Sequence, residues 1–147
     1  MIVKVDKENI LEAAKIHSVS WKESHKSFCS EDFIEKHDVN HQMKYIENEM
    51  DRGAVFYILY DEDAKGIISI NDDLIENLYI LPEEQKKGYG SKLLNYIISI
   101  SKSRLKLWIL NNNIGAYNLY SKRGFEKTGN THKLNDTLYE LEMILTK

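Results

Sequence analysis

Gly88 and Gly90 lie in the run Gln85-Lys86-Lys87-Gly88-Tyr89-Gly90-Ser91-Lys92, directly after the apolar stretch Leu78-Tyr79-Ile80-Leu81. The chemistry this spacing suits is the capture of a phosphate. Two glycines bracket a turn in which positive φ angles and close approach of a ligand cost little. Tyr89, Leu93 and Ile97 then start a helical apolar period. The amides from about Lys87 to Ser91 would therefore open a helix, where N–H groups lack intrahelical partners and sit at the positive end of the macrodipole. An anion there gains charge-assisted hydrogen bonds of roughly 1.5 to 3 kcal/mol each. Lys86, Lys87 and Lys92 add positive charge around it.

The residues around this turn narrow the ligand. A Walker loop needs lysine and a hydroxyl directly after its second glycine, yet Ser91 and Lys92 follow Gly90 in the opposite order. A Rossmann fingerprint needs a third glycine where Leu93 stands. The order Gln85-x-x-Gly88-x-Gly90, behind a strand ending Leu81-Pro82-Glu83-Glu84, instead resembles the pyrophosphate loop of the GNAT superfamily of acyl-CoA N-acyltransferases. Downstream, Asn113-x-x-Ala116-x-x-Leu119-Tyr120-x-Lys122-x-Gly124-Phe125 is similar to a later motif of the same superfamily. The resemblance covers about residues 54 to 145, and the first fifty residues only as an expectation of helices.

That resemblance implies a specific reaction: transfer of an acetyl group from acetyl-CoA, as co-substrate, to a primary amine of a small molecule or peptide by direct attack in a ternary complex. Such a transfer needs a neutral amine, donors for the developing oxyanion and a proton for the departing thiolate. An ammonium of pKa about 10.4 is neutral in only about one part in a few thousand at pH 7, a deficit of roughly 4.6 kcal/mol, so a base must act. Glu76 is the candidate base, and a solvated carboxylate at a strand start is the plainer alternative. The resemblance assigns backbone groups of Leu78, Tyr79 and Ile80 to the pantetheine arm, with the oxyanion donor near Ile80. It assigns Gln85, Lys86, Lys87, Gly88, Tyr89, Gly90 and Ser91 to the pyrophosphate loop, and the hydroxyl of Tyr120 to the thioester sulfur as acid. Tyr117 is the nearest competitor to Tyr120. Asn113 stands open between a bond to the pantetheine amide and a helix cap. Lys102, Arg104 and Lys106 are open between the nucleotide phosphates and plain solvation.

These residues need a scaffold, and the pattern supplies one. Ile2 to Val5 alternates like a strand, and Glu8–His17, Trp21–Phe28 and His41–Met50 carry helical spacing. From Ala54 the period changes to strands at Val55–Tyr60, Gly66–Asn71 and Ile75–Leu81, joined by acidic turns at Asp61-Glu62-Asp63 and Asp72-Asp73. In the last of these strands, alternation puts Glu76, Leu78 and Ile80 on one face and Ile75, Asn77, Tyr79 and Leu81 on the other. A helix from Tyr89, a strand at Leu105–Leu110, a helix at Ile114–Arg123 and strands near Phe125–His132 and Thr137–Leu145 follow. This α/β (α+β-like) order matches a GNAT fold: a mixed, mostly antiparallel sheet of six to seven strands flanked by helices, with a splayed central strand pair. Pro82, which lacks an N–H, fits the end of the splayed strand.

The 147 residues, 42% hydrophobic and with a formal charge of -3, suit one domain over 1–147 with a substantial core. Acidity argues against nucleic acid, and no apolar run approaches the about 18 residues of a membrane span. A cytoplasmic protein without a membrane partner is expected, and a homodimer is left open. Cys29 is the only cysteine, and His17, His25, His37, His41 and His132 lack metal-ligand spacing, so no metal is expected. Trp21, Glu23, His25, Phe28, Glu31 and Phe33 are candidates for an acceptor lining suited to a cationic amine, with core packing of Trp21 and Phe28 as the alternative. Two other classes compete: a non-catalytic acyl-CoA-binding regulatory module, which needs the loop but neither Glu76 nor Tyr120, and a nucleotide-binding structural domain.

Overall fold

The elements run in the order β1 (Ile2–Lys4), α1 (Ile10–His25), α2 (Glu31–Glu35), α3 (Val39–Asp51), β2 (Val55–Asp61), β3 (Asp63–Asn71) and β4 (Leu74–Ile80). A 3-10 turn (Pro82–Glu84), α4 (Tyr89–Ile100), β5 (Lys106–Leu110), α5 (Ile114–Lys122), β6 (Phe125–Lys133) and β7 (Tyr139–Leu145) complete the chain. This computed structural model describes residues 1–27, 29–102 and 104–145. Seven strands form one sheet in the order β1-β2-β3-β4-β5-β7-β6, antiparallel at every junction except β4–β5. The expected mixed, mostly antiparallel sheet is present.

The acidic turns fall where the sequence places them, with Glu62 at φ 69° and Asp72 at φ 54° joining β2 to β3 and β3 to β4. The N-terminal helices differ from expectation. Two helices were expected over Glu8–His17 and Trp21–Phe28, but α1 is continuous from Ile10 to His25, and Phe28 lies outside the described residues. The intervening Ser18 and Ser20 lie within this helix. They are buried, with Ser18 Oγ donating to the His37 carbonyl at 2.7 Å and Ser20 Oγ to the Ile80 carbonyl at 3.3 Å. The short α2 was hidden in a polar stretch. It is capped by Ser30, and α3 by Asp38, each side chain accepting a first-turn N–H.

Two apolar layers sandwich the sheet. Ala13, Ala14 and Ile16 of α1 and Ile46 of α3 pack on Phe56, Ile58 and Ile67, while Leu93, Leu94 and Ile97 of α4 pack on Ile68, Ile75, Leu107 and Met143. No described helix is long and apolar enough to cross a membrane.

Two irregularities shape the centre of the sheet. β4 and β5 share only the pairs Leu74↔Lys106 and Ile75↔Leu107, after which they part. On the other side of β4 the register with β3 steps from Ser69↔Asn77 to Ile70↔Ile75, so Glu76 is the extra residue of a β-bulge. The bulge corrects the strict alternation read from the sequence. Ile75 joins Leu78 and Ile80 against the α4 layer, whereas Asn77 and Tyr79 face α1 and α3. Period-2 reasoning assumes one residue per rung, and an inserted residue reverses every assignment beyond it.

Candidate functional site

Where β4 and β5 diverge, a cavity of about 900 Å³ opens. Glu76 to Ile80 form one wall and Leu107 to Leu110 the other. Asn113, Ala116 and Tyr120 of α5 close one side, and Trp21, Glu23 and His25 of α1 with Phe33 of α2 close the opposite side. The backbone of β4 is oriented by its partner strand. Leu81 N–H donates to the Lys65 carbonyl at 2.9 Å, so in an antiparallel ladder Ile80 and Leu78 turn their amides the other way, into the gap. The Ile80 carbonyl already accepts from Ser20 Oγ and from Gln85 Nε2, both at 3.3 Å, which fixes the end of the strand. Gly66 faces Ile80 across the ladder, and a Cβ there would collide with the Ile80 side chain and sit 2.8 Å from the Tyr79 carbonyl.

The glycine turn behaves as its residues require. Gly88 caps α4 at φ 90°, and nothing lies within 4 Å of where its Cβ would be, so the backbone angle rather than space demands glycine. The first helical bond runs from Lys92 N–H to the Gly88 carbonyl at 3.1 Å. The amides of Tyr89, Gly90 and Ser91 precede it and have no intrahelical acceptor. Lys86, at φ 66°, and Lys87 are exposed, but Lys87 is paired with Glu84 at 2.8 Å, which also holds Lys65 at 3.2 Å. The Tyr89 side chain turns inward and donates to Asp61 at 2.7 Å, anchoring the helix start. Lys102 and Arg104 follow the far end of α4 and Lys106 opens β5 at its joined end. At about 1.5 Å per residue, that is about 18 Å from the turn, so these cations sit away from it.

Glu76 and Tyr120 both line the cavity. Partial desolvation, and then the nearby Glu49 of α3, raise the Glu76 carboxyl above its ordinary value although its side chain is exposed. Tyr120 is 6% exposed, and burial, reinforced by Tyr79, pushes its phenol well above the usual range. Its ring packs edge-on to Phe125 at 5.6 Å. Tyr117, the competitor, is exposed beneath Lys127 and is not part of the lining. The phenol that does share the cavity is Tyr79, raised to about 12 by burial, which sequence reasoning had counted only for its backbone. Asn113 caps α5, its Oδ1 accepting from Ala116 N–H at 3.0 Å, and it also faces the cavity.

Of the candidate acceptor residues, Trp21, Glu23, His25 and Phe33 line the cavity. Both faces of the Trp21 indole are covered, by His25 at 3.9 Å and His37 at 3.5 Å in near-parallel stacks. Trp21 is a stiff partition. Glu31 is not in the lining, whereas Asn77, Trp108 and Glu140, none of them singled out from the sequence, are. Glu140 comes from β7, too far away in sequence for any local motif to reveal. Among the described residues Glu23, Glu76 and Glu140 line the cavity and no lysine or arginine does. Among them too, no three His, Cys, Asp or Glu side chains are grouped to hold a metal.

A family model described as the Acetyltransferase (GNAT) family matches residues 14–125. A curated relative, the uncharacterized N-acetyltransferase YobR of Bacillus subtilis (strain 168), is 24% identical over 125 residues, covering 76% of this chain and 51% of the relative. The chain thus spans about half the length of that relative. Among solved structures, the PaiA N-acetyltransferase of Thermoplasma acidophilum in complex with coenzyme A superimposes with a TM-score of 0.73 at 22% identity, covering 97% of this chain and 96% of that one. The YncA putative acetyltransferase of Salmonella typhimurium with acetyl-CoA gives 0.69 at 19%, covering 99% and 92%. An F149A mutant of the spermidine N-acetyltransferase SpeG from Vibrio cholerae gives 0.72 at 15%, covering 99% and 94%. At these identities the structures share the fold.

Proposed function

Because the chain belongs to the GNAT acetyltransferase family, we propose that residues 1–147 act as one domain that transfers the acetyl group of acetyl-CoA to a primary amine of a small molecule or peptide. The observation that carries this reading is the coincidence of the β4–β5 gap with the uncapped amides of α4. The gap offers strand-like hydrogen bonding from Leu78 and Ile80, which suits the amide-bearing pantetheine arm, and Tyr89, Gly90 and Ser91 offer amides to its diphosphate. Gln85, by fastening the Ile80 carbonyl, joins the loop to the strand.

Bound acetyl-CoA supplies an acyl group activated as a thioester. The chain's own groups do the rest. Glu76, its carboxyl raised above the ordinary value by partial desolvation and Glu49, takes the proton of the attacking amine directly or through water. Ile80 N–H, turned into the gap, donates to the oxygen that gains charge. Tyr120, whose phenol stays protonated at any working pH, donates a hydrogen bond to the departing sulfur. Among the described residues the lining holds Glu23, Glu76 and Glu140 and no lysine or arginine, and although Glu23 is paired with Lys26 at 2.8 Å, the balance supports a positively charged acceptor over one bearing a carboxylate beside its amine.

The test is release of free thiol from acetyl-CoA against a panel of diamines, polyamines, aminoglycosides, amino acids and peptides, read beside a thermal-shift titration with acetyl-CoA. Turnover with a cationic amine is expected. Tight acetyl-CoA binding without turnover on any acceptor would instead support the binding-module alternative, and no binding at all would refute both.

A further inference from the structure

Several buried polar side chains unused by that mechanism converge behind the β4 bulge. They are His17 of α1, Gln42 and Tyr45 of α3, Ser69 of β3 and Asn77 of β4. His17, Gln42 and Ser69 are almost wholly buried. Asn77 is the hub. Its Nδ2 donates to Ser69 Oγ at 2.9 Å and to the Tyr45 hydroxyl at 3.2 Å, and its Oδ1 meets His17 Nε2 at 3.4 Å. With both amide hydrogens spent, that oxygen can only accept, which makes His17 the Nε2–H tautomer. Tyr45 and Tyr79 hold the imidazole from two sides, with ring centroids at 5.3 and 4.9 Å, and Gln42 lies against it as well.

A polar knot of this kind, set among Ala13, Ile16, Ile46, Phe56 and Ile67, is not what stability alone selects, since apolar side chains of equal volume hold a core at least as well. What the knot does is fix geometry. Glu76 has no partner across the ladder, so its direction is set by the residues on either side. Ile75 is buried in the α4 layer, and Asn77 is tied to α1, α3 and β3 on the opposite side. Glu76 is held between these two anchors.

We propose that Asn77, locked by His17, Tyr45 and Ser69, is a positioning residue that aims the Glu76 carboxylate into the cavity. The proposal rests on Glu76 serving as the base in the reading above. The groups that face this carboxylate fit such a role. From α3 come Tyr45 and Glu49, the latter held by Arg52 at 3.0 Å, and partial desolvation, with a smaller contribution from Glu49, keeps the Glu76 carboxyl raised. His17 contributes no charge to the knot above about pH 5, because burial, with minor like-charge contributions from His37 and His25, lowers it to about 4.

The experiment compares Asn77→Ala and Tyr45→Phe with the unaltered chain by two readouts: the Glu76 carboxyl titration followed by carbon-detected NMR without substrate, and the pH profile of turnover with acetyl-CoA and an amine. Releasing the anchor lets the already exposed carboxylate move away from Glu49 and further into water. The Glu76 titration should then fall toward the ordinary carboxylate value, and the acid limb of kcat should move down with it. kcat should drop about 30-fold in Asn77→Ala and about 3- to 10-fold in Tyr45→Phe, with the acetyl-CoA KM nearly unchanged. Tyr45→Phe keeps the ring packing and decides the matter alone if Asn77→Ala does not fold. An unmoved Glu76 titration in the folded variants, while Glu76→Gln still abolishes the acid limb, overturns this proposal and leaves the proposed reaction standing. If Glu76→Gln leaves turnover unchanged, the base assignment and the proposal fall together.

Discussion

Replacing Tyr120 by phenylalanine removes one oxygen from the cavity and leaves the edge-on contact with Phe125 in place, so the change isolates the hydroxyl. Its worth follows from the site. An ordinary phenol at about 10 already lies above a thiol at about 8.5, making full proton transfer uphill by roughly 2 kcal/mol. Burial of Tyr120 raises its pKa further, which makes complete transfer still less favourable. What remains is a hydrogen bond to a sulfur that carries charge, worth about 1.5 to 3 kcal/mol. At 1.36 kcal/mol per decade, Tyr120→Phe should lower kcat about 10- to 150-fold. A fall of about 1,000-fold or more would instead indicate true general-acid transfer. The assay is thiol release at saturating amine, with acetyl-CoA affinity measured separately by thermal shift. Affinity should change little, since the interaction gains strength only as charge appears on sulfur. The pH profile should keep its shape, because the phenol holds its proton throughout the working range. Tyr79→Phe is the control for the second phenol. Full turnover in Tyr120→Phe would refute the reasoning and return Tyr120 to the core.

Further outcomes are expected. Glu76→Gln should reduce kcat by about 100-fold or more near neutral pH and remove the acid limb, with the deficit narrowing as pH nears the acceptor's own pKa, where the amine sheds its proton unaided. Because the Glu76 carboxyl is raised, that limb in the unaltered chain should lie above the ordinary carboxylate value in a kcat–pH profile. Gly88→Ala forces a Cβ into φ 90° at about 1 to 2 kcal/mol, so calorimetry should show Tm lower by about 2 to 8 °C, together with weaker acetyl-CoA stabilisation. His17, neutral in the fold with its pKa at about 4, gains a proton more readily when unfolded. Its contribution to stability is therefore lost as pH falls from about 6.5 to about 4, by roughly 3 kcal/mol, and denaturant titrations of His17→Gln should show a flatter acid slope over that window.

The glycine turn, the meander and the strand–helix order after Ala54 were legible because each carries a local signal. Gly88 needs its left-handed angle, Asp72 makes a tight turn, and Leu93 and Ile97 mark a buried helix face. The α1 helix was misjudged for the opposite reason. Ser18 and Ser20 lie between the two expected helices, and their hydroxyls are satisfied by His37 and Ile80, partners far away in the chain. Tyr120 and the Gln85–Ser91 loop were visible as motif positions and Glu76 as a carboxylate in a predicted strand, and all but the loop lysines, Gly88 and Ser91 have a tertiary contact or a lining position that local sequence does not encode. The bulge, the covered faces of Trp21 and the arrival of Glu140 from β7 depend on cross-strand register and long-range packing. No window of the sequence contains them.

The parting of β4 from β5 leaves two strand edges inside the seven-stranded sheet. Unpaired edges on a protein surface invite other extended chains to add themselves. Here they line a cavity bordered by residues of α1, α2 and α5. With the Ile80 carbonyl already clamped, the slot stands ready before any occupant arrives, and little ordering of the protein is required on entry. An occupant that bonds to both edges replaces the missing rungs, so its presence should tighten the two halves of the sheet into a single unit that unfolds together.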